Sequence, residues 1–224
     1  MITLKSPVTI QVKEIFKRLS KEIKNPRTEL NYSTPFQFLV AVLLSAQATD
    51  RSVNKATPKL FQKAETAEAM RKLETKEILE YIREIGLAPT KSRHIKQIAE
   101  ILLKDYQDQI PRNINQLLRL PGIGLKGASL ILNTLYHQPI IAVDTHVHRL
   151  TRRLGWIETK RPDQAWRRLN LLIPRELRYD AHHYLVLHGR YTCKARRPNC
   201  SSCPICDLCA LYKTETAETV SVRS

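Results

Sequence analysis

A lysine, an aspartate and a crowd of cysteines carry most of the chemistry that this sequence could perform. Lys126 follows the run Leu120-Pro121-Gly122-Ile123-Gly124-Leu125, and Asp144 lies eighteen residues further on, in Ile140-Ile141-Ala142-Val143-Asp144-Thr145-His146. A lysine amine attacks electrophilic carbon and forms Schiff bases, but only in its neutral form. The ordinary lysine pKa of about 10.4 leaves little free amine near neutral pH, so such a nucleophile needs burial or a proton acceptor. A carboxylate can accept that proton, or can stabilise positive charge developing on a substrate. All five cysteines fall between Cys193 and Cys209, and Cys193, Cys200, Cys203 and Cys209 are spaced C-x6-C-x2-C-x5-C. Four thiolates that close together can hold one tetrahedral zinc ion or a [4Fe–4S] cube, and spacing alone does not choose. Cys206 adds a second register, the even run Cys200, Cys203, Cys206, Cys209.

The elements around Lys126 are predicted from Asn113 to Leu150. Asn113 with Gln116 opens a short helix that ends in Leu117, Leu118 and Leu120, where Pro121 forbids continuation. Gly122 and Gly124 are expected to supply the positive φ and close backbone approach of a tight turn. From about Leu125 a second helix begins, with Ala128, Ile131, Leu132 and Leu135 on its apolar face. The unpaired N–H groups of the turn and of this helix start make a phosphate cradle that reads no sequence. A glycine turn of this kind is also a common packing turn. Lys126 at the turn–helix junction, and the polar residues that interrupt an apolar run at Asp144, favour a site.

The remaining chain reads as helices. Ile10, Ile15, Phe16, Leu19 and Ile23 predict an amphipathic helix over Thr9 to Lys24, stopped by Asn25-Pro26. Thr34-Pro35-Phe36-Gln37 is a helix start, and Phe38 to Leu44 is apolar on every side, which predicts a central buried helix. It ends in the polar loop Ser45 to Asp50. Pro58 is expected to kink or divide the next helix, with Thr57 capping the second piece. Thr66 and Thr75 are expected caps, and Gly86 a C-cap. Ile95, Ile98, Ala99, Leu102, Leu103 and Tyr106 form another stripe. Beyond Asp144, helices are predicted through Leu154 to Gly155, from Pro162 to Pro174, and from about Asp180 to Tyr191. No repeat and no sheet pattern is evident. Residues 214–224 are polar and read as a disordered tail.

With 224 residues and 42% hydrophobic content the chain can bury a substantial core, in one domain or two. The formal net charge is +16, and thirteen Lys/Arg face four Asp/Glu between Thr145 and Cys200. That density suits a polyanion, most simply a nucleic-acid backbone. No apolar run approaches a membrane span and no signal peptide is evident, so an intracellular, cytoplasmic, DNA-associated protein is expected. In such a protein, crowded cysteines argue for metal ligation over disulfides.

The residues Leu120 to Lys126 and Val143 to His146 match the LPGxGxK and VDTH motifs of the endonuclease III family of helix-hairpin-helix DNA glycosylases. The resemblance covers about Pro26 to Lys213. It implies an all-α fold of two helical domains with a DNA-binding cleft between them. Residues 28–138 would form a six-helix barrel domain with the hairpin at about 113–136, and residues 1–27 with 139–213 an iron–sulfur cluster domain. It also implies a monomeric enzyme of base excision repair, acting on duplex DNA with a damaged base or abasic site. Such an enzyme removes oxidised pyrimidines and nicks the abasic site by β-elimination.

By the same resemblance Lys126 is the Schiff-base nucleophile and Asp144 its carboxylate partner. Cys193, Cys200, Cys203 and Cys209, preceded by His188-Gly189-Arg190-Tyr191-Thr192, would ligate a [4Fe–4S] cluster and leave Cys206 a free thiol. Gln47 and Leu87 would fill the hole left by the flipped base and wedge the stack. Gly122, Ile123, Gly124, His146, Arg149, Lys194 and Arg196 complete the expected DNA contacts. His146 lacks partners at zinc-ligand spacing. Ala88-Pro89 departs from the family's usual Tyr-Asn, which touches the contacts expected to the opposite strand. Two alternatives differ in their signals. The adenine-mismatch branch of the superfamily acts through water and typically lacks the lysine. It also carries an extra C-terminal domain, which the short stretch after Cys209 is not expected to hold. A non-catalytic hairpin module would clamp DNA backbones and need no aspartate at this spacing.

Overall fold

A computed structural model describes residues 7–214 and, among them, contains helices and turns but no strand. The chain divides into two units, Thr28–His137 and the pair of segments Met1–Arg27 and Gln138–Ser224. The tail expectation falls almost wholly on residues 215–224, outside the described residues, while 210–214 is helical. Among the described residues no helix is long and apolar enough to cross a membrane.

The unit Thr28–His137 is built around α2 (Pro35–Leu44). Thr34 caps it, its hydroxyl accepting from the Gln37 amide at 3.2 Å, while the Gln37 side chain accepts from the Ser33 amide at 2.7 Å. Every residue from Phe36 to Leu44 is buried. A ten-residue helix is marginal alone in water, so its stability comes from this burial, roughly 1.5–3 kcal/mol for each large apolar side chain. Around it lie α3 (Asp50–Lys63), α4 (Ala67–Lys72), α5 (Thr75–Ile82), α6 (Ala88–Asp105), α7 (Ile114–Leu117) and α8 (Leu125–Tyr136).

Several local expectations are corrected in this unit. Pro58 does not divide α3, which runs continuously through it. The missing amide hydrogen bond and ring clash cost about 3 kcal/mol, but Val53, Leu60 and Phe61 bury apolar surface on both sides of the proline. Thr57, expected as a cap, is instead 1% exposed within the same helix. Glu74, not Thr75, is the N-cap of α5, and its amide donates to the Glu77 carboxylate at 2.8 Å. The α5 C-cap is Arg83 rather than Gly86, and the left-handed residue that follows is Leu87.

The other unit packs α1 (Pro7–Glu22), α9 (Thr145–Arg153), α10 (Pro162–Leu172) and α11 (Arg178–Tyr191) around one core. Val12, Ile15, Phe16 and Leu19 supply the α1 stripe, and Phe16 contacts the Trp156 and Tyr184 rings at 6.1 and 6.2 Å. Ile10 does not join them and is 61% exposed. At 100° per residue it points nearly opposite that stripe, so the expected face was drawn too wide. Gly155, at φ +76°, ends α9 as expected and allows Ala210 to approach.

Candidate functional site

The hairpin turn is docked on the buried helix. Gly122 has φ +79°, and a Cβ there would lie 2.6 Å from both His94 Nδ1 and Leu43 Cδ1. Both the backbone conformation and the close approach therefore require glycine. Gly124 departs from expectation: its φ is −95°, and a Cβ would meet nothing within 4 Å. It serves as the N-cap of α8 with no side-chain hydrogen bond, so it leaves the first amides of that helix uncovered. Ile123 is buried, and Lys126 is half-buried in the first turn of α8. Gly127 lets α8 approach α2, since its Cβ would sit 3.2 Å from Val42 Cγ1.

Gln47 and Leu87 share two unusual properties. Both are exposed, and both adopt left-handed backbone conformations, at φ +56° and +63°. Leu87 is 59% exposed despite its apolar side chain. Their loops touch, because a Cβ on Gly86 would lie 3.8 Å from the Gln47 carbonyl. Two strained, exposed residues on adjoining loops point from an observed outlier to a site.

Asp144 belongs to the other unit. It is the N-cap of α9, its Oδ1 accepting from the Val147 amide at 2.8 Å, and it is half-buried. The extended approach to it is held by His182, whose Nδ1 pairs with the Ala142 carbonyl at 2.9 Å. His146 is half-buried and packs on Gly189, whose Cβ would lie 3.1 Å from His146 Cβ.

Arg149, expected at DNA, has its guanidinium turned toward the protein's own backbone. It donates to the carbonyls of Gly189 at 2.6 Å and Cys193 at 3.0 Å. Burial, then the Arg153 charge beside it, pull its pKa below the usual guanidinium value. Arg153 extends the same clamp to the carbonyls of Lys194 at 2.7 Å and Ala195 at 3.0 Å, and lies 3.2 Å from Cys193 Sγ. Lys194 and Arg196 are exposed.

All five cysteines, none of them in a disulfide, border one cavity, which Leu150, Leu154, His188 and Ile205 also line. Burial is the main cause that pushes the Cys203 thiol up to about 11, and the nearby Cys206, Cys193 and Cys200 add to it. His188 Nε2 lies 3.5 Å from Cys203 Sγ. Among the described residues, no three His, Cys, Asp or Glu side chains converge closely enough to hold one metal ion. Zinc–sulfur bonds of about 2.3 Å would bring tetrahedral sulfurs to roughly 3.8 Å of one another. Cys193, Cys203 and Cys209 also pack against the unit's hydrophobic core.

Sequence reasoning missed Lys91, Arg153 and His182. Each is a polar side chain whose partners are backbone carbonyls distant in sequence, and no spacing rule finds such pairs.

Residues 40–175 match the family model described as HhH-GPD superfamily base excision DNA repair protein. The chain is 47% identical over 196 residues to endonuclease III of Escherichia coli (strain K12), covering 88% of this chain and 93% of that protein. Among solved structures, a trapped endonuclease III–DNA covalent intermediate in an estranged-adenine complex superposes with a TM-score of 0.87. Its sequence identity is 35%, and the match covers 96% of this chain and all (100%) of that one. A non-covalent endonuclease III–DNA complex gives a TM-score of 0.87 at 36% identity, over 97% of this chain and 100% of that one.

Proposed function

The chain belongs to the HhH-GPD superfamily of base excision DNA repair proteins, and from that premise we propose that it is a bifunctional DNA glycosylase and abasic-site lyase of the endonuclease III type. Its substrate is duplex DNA carrying an oxidised pyrimidine or an abasic site. The observation that carries this reading is a half-buried lysine in the first turn of α8, directly after a glycine turn and at a helix start that no side chain caps.

A base inside a duplex must leave the stack before its glycosidic bond can be reached. Gln47 and Leu87, already extended from their loops, fill the gap and wedge the neighbouring pairs. The amide of Gly124 and those at the start of α8 take a backbone phosphate, with Ile123, His146, Lys194 and Arg196 adding contacts. Arg149 contributes by holding the cysteine loop that presents those cations. Lys126, as the neutral amine, attacks C1′ of the sugar. The new C–N bond forms as the glycosidic bond breaks, and its electron pair leaves with the base, which takes up a proton. Opening of the sugar ring leaves a Schiff base on Lys126. Loss of a proton from C2′ then expels the 3′ phosphate, which nicks the strand, and hydrolysis frees the lysine. Asp144 supports departure of the base by facing the positive charge that develops on the sugar.

Cys193, Cys200, Cys203 and Cys209 hold a [4Fe–4S] cluster, with Cys206 left as a thiol. When bound, the cluster would supply a four-point cross-link to a loop that is also held by the Arg149–Arg153 clamp, by Arg18 at Pro204 and Asp207, and by Gln11 at Leu208. Purified protein is expected to be yellow-brown, with about four irons per chain. Cys206→Ser should keep the colour and Cys193→Ser should lose it. The reverse pattern would establish the even register, and stoichiometric zinc would exclude the cluster.

The two glycines of the turn separate folding from binding. Gly122→Ala should destabilise the protein by on the order of 3 kcal/mol, from left-handed strain and overpacking against His94 and Leu43. Gly124→Ala should leave the melting temperature nearly unchanged and weaken duplex binding, because its methyl group would crowd the phosphate. Equal melting temperatures for both variants would contradict this division. Borohydride trapping on duplexes with different single lesions tests the function as a whole. Covalent adducts are expected on oxidised pyrimidines and abasic sites, and salt-sensitive binding without any adduct would indicate a non-catalytic module.

A further inference from the structure

Lys91 lies on α6, is 4% exposed, and has no part in the chemistry above. Its ammonium donates to the Leu44 carbonyl at 2.9 Å and the Ala46 carbonyl at 2.6 Å. Leu44 is the last residue of α2, so the cation sits at the negative end of that helix, and Ala46 immediately precedes Gln47. Leu87 is the N-cap of α6, and the amides of Thr90 and Lys91 donate to its carbonyl at 3.0 Å as the ordinary first bonds of that helix. The Lys91 side chain therefore ties the backbone beside Gln47 to the first turns of the helix that Leu87 begins. A buried lysine is costly to hold, and burial here pulls its pKa below the ordinary value. An apolar side chain would fill the same α6 position without that cost, but it would leave two carbonyls without their donor.

We propose that Lys91 is a positioning residue that locks the Gln47 loop to the Leu87 turn, so that both tips meet the duplex already in their working conformation. Left-handed residues on exposed loops persist only where the surroundings over-determine them, and Lys91 supplies that constraint from inside the unit. The proposal rests on the reading of Gln47 as the residue that fills the gap left by the flipped base.

A double-mutant cycle on the whole protein tests it. Lys91→Met keeps the length of the side chain and removes its donors. Single-turnover excision of an oxidised pyrimidine at saturating enzyme should fall by about tenfold to a hundredfold, the usual effect of misplacing a contact group by about 1 Å. Affinity for undamaged duplex should stay within about twofold. Gln47→Ala alone should give a loss of similar size, and adding Lys91→Met to it should cost less than about threefold more. A lysine that merely supports the fold would multiply the two losses. A wild-type rate for Lys91→Met, or multiplied losses, would overturn the proposal and leave the reading of Gln47 intact. A wild-type rate for Gln47→Ala would overturn that reading, and the proposal with it. Should Lys91→Met fail to fold, Lys91→Gln enters the same cycle, with an intermediate loss expected that disappears in the Gln47→Ala background. A wild-type rate for that variant would overturn the proposal.

Discussion

Replacing Lys126 with glutamine is expected to abolish borohydride trapping on an abasic duplex and to slow strand nicking by a thousandfold or more. That loss is on the order of 4 kcal/mol of transition-state stabilisation. The amide, one atom shorter than the amine, keeps a polar end on the side chain but has no nucleophilic nitrogen. Folding should survive, because Lys126 is half-buried on a helix whose apolar face is carried by Ala128, Ile131 and Leu132. Duplex binding should also survive, because the cradle consists of backbone amides. Undiminished trapping by Lys126→Gln would sink the assignment of the nucleophile.

Asp144→Asn is expected to separate base removal from elimination. In the role proposed for it, the carboxylate stabilises charge that develops as the base departs, so deleting its charge should cost about 3 kcal/mol, roughly a hundredfold, on a duplex with an oxidised pyrimidine. An abasic site already offers an aldehyde in equilibrium with its closed sugar, so attack by the amine there expels no base and the loss should be smaller. The fold should hold, since asparagine caps helices about as well as aspartate and can replace the Asp144–Val147 hydrogen bond. Single-turnover rates at saturating enzyme exclude binding and product release, and circular dichroism checks that α9 persists. Equal losses on the two substrates would reassign Asp144 to lysine activation or to later proton transfers.

What the sequence made legible was local. The Thr34 helix start and the all-apolar Phe38–Leu44 run each follow from neighbours within four residues, and each appears in the structure as read. The catalytic candidates stood out because a glycine turn beside a lysine is a rare short pattern. Errors arose where tertiary burial outweighed a local rule. Pro58 stays inside α3 because both of its flanks are buried, and Gly86 yields the left-handed position to Leu87. Sequence could assign Gly122 and Gly124 to one turn, but only the packing of Leu43 and His94 shows which one must be glycine.

Cations were the least legible part. Arg149 is an expected DNA contact and nothing in the sequence singles out Lys91 or Arg153, yet all three end on backbone carbonyls. Their partners lie some forty or more residues away along the chain, at sequence separations of 47, 40 and 41. A carbonyl carries no side-chain signature, so neither composition nor spacing could reveal these pairs. Part of the +16 charge therefore braces the protein's own loops.

The central claim is that one lysine, at the start of the helix after the glycine turn, becomes covalently joined to the sugar. Borohydride trapping of the wild-type protein on a duplex with one oxidised pyrimidine, followed by proteolysis and mass spectrometry of the adduct, tests it most directly. The account predicts a single modified peptide, with the reduced deoxyribose remnant on Lys126. An adduct on any other amine, or nicking with no adduct at all, would contradict it.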